Sequence, residues 1–295
     1  MSQLGRTISA PRRGAMSAPT RQRLRHALPS AASYVILCVL ALFFAAPFLW
    51  VLLSSVNPAA SFSVTIPTHP TLANFGAVIS SGLVGRPFLN SFILAGSTTA
   101  LSVLFSGMAA YPLSRYQFRF KSALMYGVLF ISALPVLAFV TPLYALYVQF
   151  GLVDTYQGVI LFLVASSLPF NIWLMKNYLD SVSVELEEAA WVDGASTIAG
   201  LFRVVLPLSA PGIAVVGVLS FLGGWSNFFV PFIIFQTPEY LPAAVNIYSL
   251  FGQYGQINYG QLTAYAMLYA LPVVVIYIAA SRFFVKGVNL GGLKG

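Results

Sequence analysis

Five of the chain's seven acids, Asp180, Glu185, Glu187, Glu188 and Asp193, fall within fourteen residues. Carboxylates so clustered can do acid–base work, hold a cation or meet basic groups on a partner. Acid–base or nucleophilic catalysis needs a histidine or a nucleophile–base pair beside them. The two histidines, His26 and His69, lie far away in sequence, and the single Cys38 permits neither an intrachain disulfide nor a zinc cluster. No metal site and no catalytic centre are expected. Contact with a basic surface, or a plain interfacial connection, is the chemistry left to this cluster.

Residues 185–194 read as a short helix. Ser183 is a suitable N-cap, and acids in the first turn suit the helix dipole. Leu186, Ala189, Ala190 and Asp193 recur at helical spacing and share one face. The two alanines leave room for close approach to another surface, and Gly194 ends or kinks the helix. A second short helix is expected over 196–205, broken by Leu206-Pro207.

A second set of polar groups sits inside apolar runs: Asn90, Ser91, Asn171, Trp225 and Asn227. Amides, a hydroxyl and an indole suit hydroxyl-rich solutes, through hydrogen bonds and stacking. The same residues also serve as glue between helices or as an interfacial anchor. A phosphate-binding glycine loop does not occur: Lys121-Ser122 follows Tyr-Gln-Phe-Arg-Phe. Energy for any uphill work must come from a partner or an ion gradient.

The elements that position these residues follow from composition. Only 7% of the 295 residues are charged while 58% are apolar, too few charges to cover a water-soluble surface. Solid apolar runs at 33–56, 87–111, 123–148, 156–174, 212–235 and 262–285 read as six transmembrane helices. Fourteen of the fifteen Lys and Arg fall on one side if both termini are cytoplasmic, with Arg86 alone outside. The net charge of +8 then reflects topology and implies no nucleic-acid partner. Residues 1–30 read as a disordered basic cytoplasmic tail, and 31–295 as the membrane domain. The acid cluster falls in the cytoplasmic loop 180–211, between the fourth and fifth spans. The fold class is therefore all-α and polytopic.

Glu188-Ala189-Ala190, three residues, Gly194, nine residues, then Val204-x-Leu206-Pro207 resembles the EAA loop of binding-protein-dependent ABC importer permeases. Val204 replaces the usual isoleucine, and Asp193-Gly194-Ala195 matches the common D-G-A core. Thr71-Leu72-Ala73-Asn74-Phe75, Asn90-Ser91-Phe92 and Ala110-Tyr111-Pro112-Leu113-Ser114-Arg115 are similar to segments of the sugar permeases. So are Trp225-Ser226-Asn227-Phe228 and, toward the C-terminus, Phe284-Val285-Lys286-Gly287 with Gly292-Leu293-Lys294-Gly295, which resembles the maltose-type permease.

The resemblance implies an inner-membrane subunit that pairs with a second, sister permease. Two ATPase subunits would bind ATP-Mg, and an extracytoplasmic solute-binding protein would deliver a sugar or sugar-like solute. It assigns ATPase coupling to Glu187, Glu188, Ala189, Ala190, Asp193, Gly194, Ala195, Leu206 and Pro207. Alternatives are an importer of amino acids, polyamines or glycerol phosphates, and an ion-coupled secondary transporter. The lack of ionisable groups at membrane depth weighs against the last.

Overall fold

The computed structural model describes residues 20–251 and 257–291, and every regular element among them is helical. The chain divides into two compact units, Met1–Trp50 and Val51–Gly295.

The first unit carries most of α1 (Thr20–Ser55). Its apolar side chains are exposed, Phe43 at 72% and Phe48 at 75%, and no charge interrupts residues 33–55. Such a surface suits a lipid environment, because a helix satisfies its own backbone there. The helix begins at Thr20, ahead of the boundary expected at residue 30. Leu, Arg and Ala between 21 and 28 are good helix formers, and they extend the apolar helix backward. The tail expectation for residues 1–19 lies outside the described residues.

The second unit holds α2 (Ala73–Ser80), α3 (Gly85–Arg115), α4 (Lys121–Ser132), α5 (Val140–Phe150) and α6 (Tyr156–Asp180). It continues with α7 (Val184–Val192), α8 (Thr197–Gly200), α9 (Leu206–Leu208), α10 (Ala210–Trp225), α11 (Phe229–Ile234), α12 (Ala243–Asn246) and α13 (Tyr259–Gly291). Helix α3 packs on α6 and α10, and α10 also packs on α13. The buried stripe of α3 includes Ser91, Ala95, Thr98, Ser102, Ser106 and Ala110, mostly small residues at helical spacing. Small side chains let helix backbones approach closely where no hydrophobic force separates lipid from protein. Ser102 and Ser167 share a hydrogen bond of 3.0 Å across the α3–α6 seam.

Among the described residues, four helices are long and apolar enough to cross a membrane: Ser33–Ser55, Gly85–Arg115, Tyr156–Asp180 and Tyr259–Ser281. The two other expected spans are interrupted. The run at 123–148 breaks between α4 and α5, passing through a 3-10 turn at Val136–Phe139. Pro135 has no N–H to donate and disfavours helical backbone at Leu134. The run at 212–235 stops at Trp225 and resumes at Phe229. Helices α3 and α6 outrun the apolar runs 87–111 and 156–174 at their C-terminal ends, and so carry Arg115 and Asp180 to the loops that follow.

Candidate functional site

The loop after α6 folds as a helical hairpin. Ser183 caps α7, its Oγ accepting from the N–H of Glu185 at 3.3 Å. Glu185 and Glu187 occupy the first turn. At the far end the N–H groups of Asp193, Gly194 and Ala195 donate to the carbonyls of Ala189, Trp191 and Ala190. Gly194 has φ +90°, a left-handed conformation that a side chain would strain. Ser196 then caps α8, accepting from Ala199 N–H. The hairpin closes at Gly200, where an added Cβ would stand 3.2 Å from Nε1 of Trp191.

From α8 the chain passes through a π turn, Leu201–Val205, into α9. The break expected at Leu206-Pro207 falls instead at Ser209, where the helix axis turns by 74° into α10. Pro207 lies in the first turn of α9, where its missing N–H costs little.

The residues of the EAA pattern separate into two groups. Glu188, Ala189, Asp193, Gly194 and Pro207 are exposed, and Ala190, Ala195 and Leu206 are half-buried. The face read from spacing, Leu186, Ala189, Ala190 and Asp193, is the outward one. Apolar Leu186, Val192 (88% exposed) and Ile198 stand beside the acids, a surface ready to bury against a partner.

Glu187 points the other way and is fully buried. Its Oε1 accepts from the hydroxyl of Tyr111, and its Oε2 accepts from Nε of Arg115 at 2.7 Å. Nη1 of Arg115 also donates to the carbonyl of Leu179 at 3.2 Å. Nearby, Ser114 Oγ donates to Asp180 at 2.7 Å, and Asp180 also pairs with Lys176. Breaking a buried ion pair by removing one partner typically costs about 3–5 kcal/mol, because the other charge is stranded. The sequence marks Tyr111 and Arg115 only as part of the 110–115 segment similar to the sugar permeases, and nothing local pairs them with Glu187. The available signal was an arginine at the end of an apolar run, ahead of Arg119 and Lys121.

The five polar candidates for a solute path differ in their surroundings. Asn90 is 2% exposed, donates to the carbonyls of Glu239 and Leu241, and accepts from Tyr156 Oη. Ser91 Oγ accepts from Ala243 N–H at 2.9 Å. Asn171 donates to Ser220 Oγ at 3.0 Å, joining α6 to α10. Trp225 is 1% exposed, stacks on Phe221 and Tyr269, and donates to the Tyr269 carbonyl. These four are engaged in seams of their own chain. Asn227 alone stays half-exposed, its carbonyl oxygen accepting from Val230 N–H.

On the opposite end, Asp154 ties two loops. It has φ +59°. Its Oδ1 accepts from the N–H groups of Gln236 and Thr237, and its Oδ2 from the Thr237 hydroxyl. The Thr237 hydroxyl, then the backbone N–H bonds, hold this carboxyl below its ordinary pKa. Among the described residues no group of three or more His, Cys, Asp and Glu could hold a metal ion.

Residues 102–288 match the family described as binding-protein-dependent transport system inner membrane component. The galactooligosaccharides transport system permease protein GanQ of Bacillus subtilis (strain 168) is 32% identical over 268 residues, 89% of this chain and 95% of that protein. The trehalose/maltose transport system permease protein MalG of Thermococcus litoralis is 29% identical, covering 88% of this chain and 94% of that protein. In fold, the chain is similar to a bacterial ABC transporter crystal structure involved in import of the acidic polysaccharide alginate. The TM-score is 0.75 at 21% identity, covering 91% of this chain and 100% of that one. With its EAA spacing carried on a capped, outward-facing hairpin, the chain belongs to the family of binding-protein-dependent transport system inner membrane components.

Proposed function

We propose that this chain is one permease subunit of an ATP-driven importer, and that its cargo is a saccharide. The names of its relatives support the cargo class: galactooligosaccharides for one, trehalose and maltose for another. Both termini lie in the cytoplasm, and six spans cross the membrane, two of them built from the broken pieces α4–α5 and α10–α11. A sister permease completes the pathway. Two ATPase subunits bind ATP-Mg, and an extracytoplasmic binding protein delivers the solute.

The observation that carries this reading is the outward face of α7. Glu188 makes a polar contact with the ATPase, exposed Ala189 and half-buried Ala190 let its surface approach closely, and Gly194 shapes the turn that follows. Glu187, Asp193, Ala195, Leu206 and Pro207 belong to the same coupling unit, Glu187 as its inward anchor. When ATP draws the ATPase subunits together, the hairpin moves as a lever and switches access across the membrane. Asn227 is the candidate for solute contact. Asn90, Ser91, Asn171 and Trp225 instead hold the walls of the path.

Gly194→Pro and Glu188→Lys are expected to abolish solute uptake while the protein remains in the membrane at normal amounts. Normal uptake in both variants contradicts the coupling role.

A further inference from the structure

Helix α7 has nine residues, and Glu187 is its one buried side chain. An open groove of about 590 Å³ undercuts Leu186, between the end of α6 and the start of α10. A helix this short has little stability of its own. Among the described residues, the side-chain hydrogen bonds from α7 to the long helices are those of one carboxylate, Glu187.

Both oxygens of that carboxylate are engaged by residues of α3, Tyr111 and Arg115. The same guanidinium reaches the carbonyl of Leu179 near the end of α6. Three elements thus meet at one buried charge pair, with side-chain exposure of 7% for Arg115 and 0% for Glu187. Arg115 Nη2 is buried without a hydrogen-bond partner, and among the described residues Glu187 is the acid with which Arg115 forms an ion pair. An apolar contact of the same size would hold α7 as firmly but let it rotate and slide. A planar guanidinium on a carboxylate fixes direction as well as distance.

We propose that Arg115, Tyr111 and Glu187 form a latch that makes α7 and α3 one rigid body, so that displacement of the coupling helix is delivered to α3 and, through Leu179, to α6. This rests on the reading of α7 as the ATPase contact. Arg115 and Tyr111 are positioning residues: they touch neither ATP nor solute, and act through Glu187.

The test uses the whole transporter, with ATPase, sister permease and binding protein, reconstituted in lipid vesicles. Solute uptake and ATP hydrolysis are measured on equal amounts of assembled complex. Glu187→Gln keeps the shape and removes the charge. It is expected to lower solute carried per ATP by about tenfold, the scale of one charge-assisted hydrogen bond. Tyr111→Phe removes only a hydroxyl and is expected to lower the same ratio by roughly threefold. The exchange Arg115→Glu with Glu187→Arg restores part of the loss.

A merely structural role would reduce the amount of complex but leave solute per ATP unchanged. That result in Glu187→Gln overturns the latch, and Tyr111→Phe decides the same way if Glu187→Gln does not assemble. Ala189→Trp, on the outward face, separates the two ideas. If it blocks transport while the latch variants keep the normal ratio, only the latch fails. If Ala189→Trp transports normally, the coupling reading itself fails.

Discussion

Neighbouring carboxylates can have opposite fates, and Glu187 and Glu188 show why. A helix turns by about 100° per residue, so one acid is driven into the seam while the next faces out. The difference is decided by what α3 offers there: an arginine and a tyrosine hydroxyl in reach of Glu187. Asp154 is a second residue whose role depends on its surroundings. Its folded-state pKa is lowered, so its stabilising contribution is complete above the ordinary carboxylate range and is lost as pH falls through the lowered value. Thermal unfolding of the wild type and Asp154→Asn, followed from neutral to strongly acidic pH, is expected to differ most near neutrality. The difference should shrink only below the ordinary carboxylate range; a constant difference contradicts the assignment. The sequence marks residue types well and partners poorly. Asn90 stands out as an amide in an apolar run, but its acceptor at Glu239 lies 149 residues away, and no local pattern reveals it.

The α7–α8 hairpin is the element that sequence describes best, because its signals are local. Ser183 and Ser196 cap the two helices, and Gly194 turns the chain between them. Interruptions within membrane helices are harder to read. Pro112, Pro169 and Pro272 lie inside α3, α6 and α13, whereas the helix stops before Pro135. The outcome depends on whether neighbouring helices and side chains satisfy the freed backbone groups, which is tertiary information. At Gly194 the left-handed backbone makes a side chain cost about 1–2 kcal/mol. Gly194→Ala is therefore expected to slow uptake several-fold at normal membrane levels. Gly82→Ala, with a similar φ of +79° but outside the hairpin, is expected to leave uptake within twofold. Equal effects at both positions would mean that strain alone, rather than the shape of the hairpin, sets the rate.

Across the molecule, 22 charges in 295 residues are arranged so that all but Arg282, near the end of the last run, fall outside the six apolar runs. The α3–α6–α10–α13 packing, lined by small residues, supports a hairpin whose outward face is rich in acid and apolar groups. Chain-wide charge placement was legible in the sequence, and the proposed topology rests on it. The α3–α7 latch was not legible there, because a charge at a span end satisfies the positive-inside bias equally well with or without a partner. The central claim is that this outward face meets an ATPase subunit. It is tested most directly by thiol cross-linking in the assembled transporter, with Cys38 replaced by Ser and one cysteine introduced at a time. Ala189→Cys, on the exposed face, is expected to cross-link to the ATPase subunit. Val182→Cys, buried just before α7, is expected to give no such product. Absence of cross-linking at position 189 in an assembled, transporting complex, or equal yields at both positions, would contradict the account.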